Sequence, residues 1–189
     1  KMNLNPLESE KCLYDIEEIY EICVEDFEDE DDKRSFVFLD KKKNLDKEED
    51  LVRCEHDDYV YLLKSITDKI EWFIDAGWRD YQGDIYYVGK DKSDRYYLLV
   101  QGYGSCSGCD AYQSAESICE HDKSLEPLNE LREDMKRNIR QFKNLEEFKI
   151  YLESEETRGS FFWYGDDIKD FIEKVNREFG WDLKTNENF

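Results

Sequence analysis

Three shortages bound what this chain can be. No apolar run approaches the roughly 20 residues needed to cross a bilayer, and no signal-peptide pattern opens the sequence. No membrane partner is therefore expected, and a cytoplasmic location, of a cell or of an infected host, is. Basic side chains are also scarce: 27 Lys and Arg stand against 48 Asp and Glu, a formal net charge of −21. A field of that sign repels nucleic acid, so direct nucleic-acid binding is not expected. Histidine occurs at His56 and His121 alone, which confines imidazole chemistry to two positions. No internal repeat or long linker breaks the chain, and one α+β domain over 1–189 is expected, with the acidic N-terminal residues 1–58 as a candidate appendage.

Low hydropathy with high net charge would ordinarily point to disorder. The 13 Tyr, 11 Phe and 4 Trp argue the other way, because rings spread along periodic segments can supply a core that few aliphatics would. The acidity is uneven. Residues 1–58 hold 21 acidic and 9 basic side chains, and Glu25, Asp26, Glu28, Asp29, Glu30, Asp31 and Asp32 form a run interrupted only by Phe27.

Asn5-Pro6-Leu7-Glu8 has the pattern of a helix start, with an apolar stripe through Leu13, Ile16, Ile19, Tyr20, Cys23 and Phe27. A short strand is expected near 35–39. From Asp57 or Asp58 the spacing of Tyr59, Leu62, Leu63, Ile66, Ile70, Phe73 and Ile74 predicts one helix stopped by Gly77. Aromatic and β-branched runs on both sides of Asp91–Asp94 predict an antiparallel hairpin over 84–100. Helices follow at Ala111–Cys119, along Leu128, Leu131, Met135, Ile139 and Phe142, and after the N-cap Asn144. A strand near 160–164 and a last helix capped by Asp166 and ending at Gly180 complete the reading. The expected fold is a small antiparallel sheet packed with five to six helices.

The chemistry, if there is any, concentrates between the hairpin and the helical half, in Gly102-Tyr103-Gly104-Ser105-Cys106-Ser107-Gly108-Cys109-Asp110. Cys106 and Cys109 have the x₂ spacing with which two thiolates reach one tetrahedral zinc. Cys119 and His121 could complete a Cys₃His set, with Cys54 and His56 as an alternative second pair, although a Cys-x-His chelate cannot form on a regular helix. A dithiol near a helix N-terminus can instead have a depressed pKa and cycle with a disulfide. The glycines fit neither the Rossmann nor the Walker spacing, and no carboxylate pair or triad stands out from the acidic background. A purely structural reading has the glycines making a tight crossover with both thiols packed under the sheet, and treats Cys12 and Cys23 as small core hydrophobes.

Tyr81-Gln82-Gly83-Asp84, the hairpin after it and the Gly-Ser-Cys-Ser-Gly-Cys-Asp block of residues 104–110 resemble a group of small uncharacterised proteins from phages, other viruses and some bacteria. The resemblance spans residues 78–180 or so and implies no catalytic residues. It implies a viral accessory protein. Together with the charge, it leads to the expectation of a non-enzymatic interaction protein. Its acidic run would occupy a basic, nucleic-acid-binding surface of a host defence protein as a nucleic-acid mimic. The alternative is a zinc-stabilised or thiol-dependent protein centred on Cys106 and Cys109.

Overall fold

The computed structural model describes residues 58–77, 81–106, 108–122, 124–154 and 165–184, together with Leu7, residues 10–13, Ile16, 20–21 and 37–38. The fold is α+β. Two short strands, β1 (Tyr20–Glu21) and β2 (Val37–Phe38), pair with each other. The main sheet has four antiparallel strands in sequence order: β3 (Glu71–Ala76), β4 (Gly83–Lys90), β5 (Tyr96–Tyr103) and β6 (Arg140–Phe142). Five described helices surround it: α1 (Asp58–Ile66), α2 (Ala111–Asp122), α3 (Glu126–Asn138), α4 (Leu145–Glu153) and α5 (Gly165–Phe179). None of the described helices is long and apolar enough to cross a membrane.

Strand alternation sends successive side chains to opposite faces, and here both faces are covered. Ile85, Tyr87, Tyr97, Leu99 and Tyr103 join one core with Tyr59, Leu62 and Leu63 of α1, Tyr112 of α2 and Leu128 and Met135 of α3. Tyr86, Val88, Tyr96 and Leu98 join the other, with Phe142, Phe148 and Leu152 of α4 and Phe171 and Val175 of α5. This is why β4 reads as the nearly unbroken apolar run Ile85-Tyr86-Tyr87-Val88. Rings supply much of both cores. Tyr86 stacks on Phe171 with centroids 4.5 Å apart, and Phe148 meets Tyr96, Phe142, Phe179 and Trp181.

The hairpin and its turn form as the sequence predicts. The Asp91 carboxylate accepts from Ser93 N at 2.8 Å, Arg95 N at 3.1 Å, Arg95 Nε at 2.6 Å and the Tyr97 hydroxyl at 2.9 Å. Burial alone would raise its pKa; the backbone N–H groups of Arg95 and Ser93 and the Arg95 guanidinium outweigh it and hold the carboxyl below its usual value. Asn144 caps α4 through Glu147 N at 2.9 Å, and the Glu147 carboxylate reaches back to Lys143 N. Such a cap contributes about 1 kcal/mol. Gly180, with φ +65°, ends α5 where expected, while Asp166 stands in the first turn of that helix.

Three expectations need correction. The helix predicted from Asp58 to Gly77 is two elements, α1 ending at Ile66 and β3 beginning at Glu71. Ser65 Oγ turns back to the Leu62 carbonyl, Thr67 Oγ1 accepts from Lys69 N, and the chain reverses. Beyond that turn, the partner strand β4 captures an aromatic and β-branched segment whose spacing fits helix and strand alike. Likewise Ile139 is extended, and Arg140–Phe142 pairs with Tyr96–Leu98 where continued helix was expected. Tyr20–Glu21 is strand, so the expected helical stripe is broken at Tyr20.

Residues near the N-terminus dock on α1 and α3. Leu7 and Ile16 are buried, Lys136 donates to the Glu10 carbonyl, and Cys12 is half-buried. Its thiol donates to Glu133 at 3.1 Å, and burial, aided by that carboxylate, raises its pKa. The acidic run Glu25–Asp32, the Cys54/His56 pair, Cys23 and the strand expected near 160–164 lie outside the described residues.

Candidate functional site

β5 leaves the sheet at Tyr103 and α2 begins at Ala111, so the cysteine loop joins a central strand to a helix N-terminus. Asp110 organises it. Its carboxylate accepts from Gly104 N at 2.9 Å, where the loop starts, and from Gln113 N at 2.8 Å, in the first turn of α2. Its own N–H donates to the Cys106 carbonyl at 2.8 Å, and the same oxygen receives Cys109 N at 2.9 Å. Asp110 is only 5% exposed, and the Tyr59 hydroxyl of α1 accepts the next orphan donor, Tyr112 N, at 3.0 Å. Burial raises the Tyr59 pKa, keeping the phenol neutral. The loop is therefore fixed at its start, its middle and its exit.

Gly104 is required by close approach. A Cβ there would stand 2.6 Å from both the carbonyl oxygen and the sulfur of Cys109. Gly102 and Gly108 have no such constraint. The fold thus presses Cys109 against Gly104 and turns Cys106 back over it. The two sulfurs are 2.8 Å apart and both side chains are exposed, which rules out the crossover with thiols packed under the sheet. A disulfide bond is about 2.05 Å long, so the pair needs only a small movement to close. The hydrogen bond from Cys106, followed by contacts from the backbone of Cys106 and Ser105, holds the Cys109 thiol below its ordinary pKa.

The other expected zinc ligands are placed elsewhere. Cys119 is 2% exposed and belongs to the core, while the His121 side chain is 89% exposed and contacts Asp122. They are two apart on α2, so the helix directs them to different sides. Among the described residues, no group of three or more His, Cys, Asp or Glu side chains could hold a metal ion. Two thiolates on one tetrahedral zinc stand roughly 3.8 Å apart, given Zn–S bonds of about 2.3 Å. Cys106 and Cys109 would have to open by about 1 Å from their 2.8 Å contact to chelate one.

Two features escaped sequence reasoning. Asp110-Ala111-Tyr112-Gln113 is an N-cap with Gln at N3, a signal present in the sequence; here the Gln113 side chain donates to the Gly104 carbonyl at 3.2 Å instead of returning to the cap amide. The second is a carboxylate pair at the same end of the sheet. Asp167 of α5 accepts from Asp84 N at 2.9 Å, and Asp84 lies opposite Gly102 in the β4–β5 ladder. Burial and then the Asp167 charge raise the Asp84 pKa. No local signal pairs residues 83 positions apart.

No family model, curated protein or solved structure matches this chain.

Proposed function

We propose that this is a thiol-dependent protein whose Cys106–Cys109 pair exchanges between dithiol and disulfide with the disulfide of a partner molecule. The observation that carries the reading is the 2.8 Å separation of two exposed sulfurs on a fixed loop. Support also comes from the lowered Cys109 thiol, since the thiolate is the attacking species. In the exchange, the Cys109 thiolate attacks one sulfur of the substrate disulfide. That bond breaks, and the departing half leaves as a thiolate that takes a proton from water. Cys106 then loses its proton to water and attacks the Cys109 sulfur, closing the internal bond and releasing the second substrate thiol. Two electrons pass from the cysteine pair to the substrate, which is reduced.

The test is equilibration in glutathione redox buffers, with trapping and peptide mapping by mass spectrometry. The expected product is an internal Cys106–Cys109 disulfide, seen as the loss of two hydrogen atoms from one peptide. A pair that stays reduced at oxidising ratios, or forms only glutathione adducts, would overturn the reading. Stoichiometric zinc in protein purified without chelator or nickel would make the pair a metal clamp instead.

A second reading rests on charge. The 21 acids against 9 basic residues in 1–58 favour an acidic interaction protein that covers a basic surface, as a viral inhibitor of a host nucleic-acid-binding protein would. Neutralising Glu25, Asp26, Glu28 and Asp29 together is expected to weaken binding to a basic nuclease at least tenfold at low salt and to flatten its salt dependence. Unchanged affinity with a flat salt response would remove this reading.

A further inference from the structure

From Tyr96 to Asp122 the sequence has no Lys or Arg and has four acids, Asp110, Glu116, Glu120 and Asp122. The strand, the cysteine loop and α2 thus form one continuous stretch without a Lys or Arg side chain. What the fold adds beside the loop is acidic as well. Asp84 lies opposite Gly102, and Asp167 of α5 is bonded to Asp84 N. Asp166 is exposed in the first turn of the same helix, and the nearby cation of that helix, Lys169, is already paired with Asp166 at 3.5 Å. Arg79, close in sequence to Tyr81, lies outside the described residues. An attacking sulfur on this loop meets an incoming disulfide beside Asp and Glu side chains, with no Lys or Arg in β5, the loop or α2 to hold an anion.

Tyr81 is the second element. It is a large aromatic side chain with 81% of its surface exposed. Two residues later Gly83 pairs with Tyr103, so Tyr81 enters the sheet at the end where the cysteine loop leaves it. An exposed ring at such a place can stack on a peptide chain and receive a cation on its face.

On these grounds, and resting on the dithiol reading above, we infer that the substrate of Cys109 is a disulfide within a cationic polypeptide segment, docked across Tyr81, and that small anionic disulfides are poor substrates. Charge selects through the rate of encounter: like-charged reactants are slowed and oppositely charged ones are drawn in, with the difference screened by salt. The aromatic ring supplies contact area that a small disulfide cannot use.

The experiment compares second-order exchange rates of the reduced protein with four disulfides: glutathione disulfide, which is anionic; hydroxyethyl disulfide, which is neutral; cystamine, which is cationic; and a Lys-rich peptide closed by a disulfide. Rates are referred to those of a simple model dithiol, so that intrinsic reactivity cancels. At low salt the expected order is peptide, cystamine, hydroxyethyl disulfide, glutathione disulfide, with at least tenfold between cystamine and glutathione disulfide. That ratio should collapse near 1 M salt, where the Debye length is about 3 Å. Y81A should lower the peptide-to-cystamine ratio several-fold. Equal referenced rates, or glutathione disulfide ahead, would overturn the charge selection, and an unchanged ratio in Y81A would overturn the docking role. Failure to react with every disulfide would remove the dithiol reading itself, an outcome distinct from loss of selectivity.

Discussion

Replacing Gly77 by alanine is expected to destabilise the protein by about 3 kcal/mol or more, among the larger effects a single methyl group can have. Two independent costs meet at this position. Its φ is +104°, outside the left-handed minimum that non-glycine residues reach at moderate expense. A Cβ there would also stand 2.1 Å from the carbonyl oxygen of Asp84 and 3.3 Å from Cα of Ile85. Both contacts are with backbone of the central strand β4, so no side chain can swing away to relieve them. Relief would require β3 and β4 to separate, and the Gly77 N–H would move off the Asp170 carboxylate, 3.0 Å away, that anchors it to α5. Gly180 is the internal control. Its φ of +65° lies in the left-handed region and a Cβ added there would have nothing within 4 Å, so alanine should cost only about 1 kcal/mol. Denaturant midpoints of the two variants measure the difference, and equal, small shifts would show that the sheet accommodates the added group.

The same glycine illustrates what could be read from the sequence. It is a terminator, as expected, but of a strand. Between Tyr59 and Ile74 apolar residues fall at three- and four-residue intervals, and this spacing does not reveal that Thr67–Lys69 turns the chain back. The outcome is decided by the long-range pairing of β3 with β4, which no local window contains. The hairpin was legible because turn chemistry and strand composition agree: Asp91 closes the turn with its own side chain, and rings and β-branched residues flank it. At the cysteine loop, the residue types were legible and their arrangement was not. The x₂ spacing of Cys106 and Cys109 permits a zinc chelate, a disulfide or a packed crossover. Gly104 and Asp110 set the arrangement of the loop, by the contact of one and the hydrogen bonds of the other. Cys119 and His121 are directed to different sides for a reason the sequence did contain, the helix that runs unbroken through both.

The two cysteines are expected to behave differently when replaced, and this asymmetry is the sharpest consequence of the geometry. Cys109→Ser removes the sulfur whose pKa is lowered, so disulfide exchange should fall by at least 100-fold, consistent with the thiolate being the nucleophile. Cys106→Ser leaves that nucleophile and removes the thiol that resolves the mixed disulfide. One substrate half should then remain bonded to Cys109 in a trapped adduct, with one equivalent of thiol released and no second turnover. The second effect is on pH. Serine would keep a hydroxyl able to donate, so the variant for this effect is Cys106→Ala. Losing the Cys106 sulfur contact, the first cause of the lowered thiol, should move the midpoint of Cys109 alkylation upward, toward the ordinary thiol value of about 8.5. The sign carries over to stability. A thiol whose folded pKa is depressed favours the native state above its unfolded pKa, and that contribution is lost as the pH falls through the folded value. In the wild-type protein the preference therefore grows as the pH rises from the folded value toward about 8.5, and in Cys106→Ala this window narrows. Alkylation-rate profiles followed by peptide mapping separate the two sulfurs. If Cys109→Ser traps the adduct and Cys106→Ser abolishes exchange, the attacking and resolving roles are the reverse of those assigned. A shared midpoint in wild type and Cys106→Ala would mean that the 2.8 Å contact does not tune the thiol.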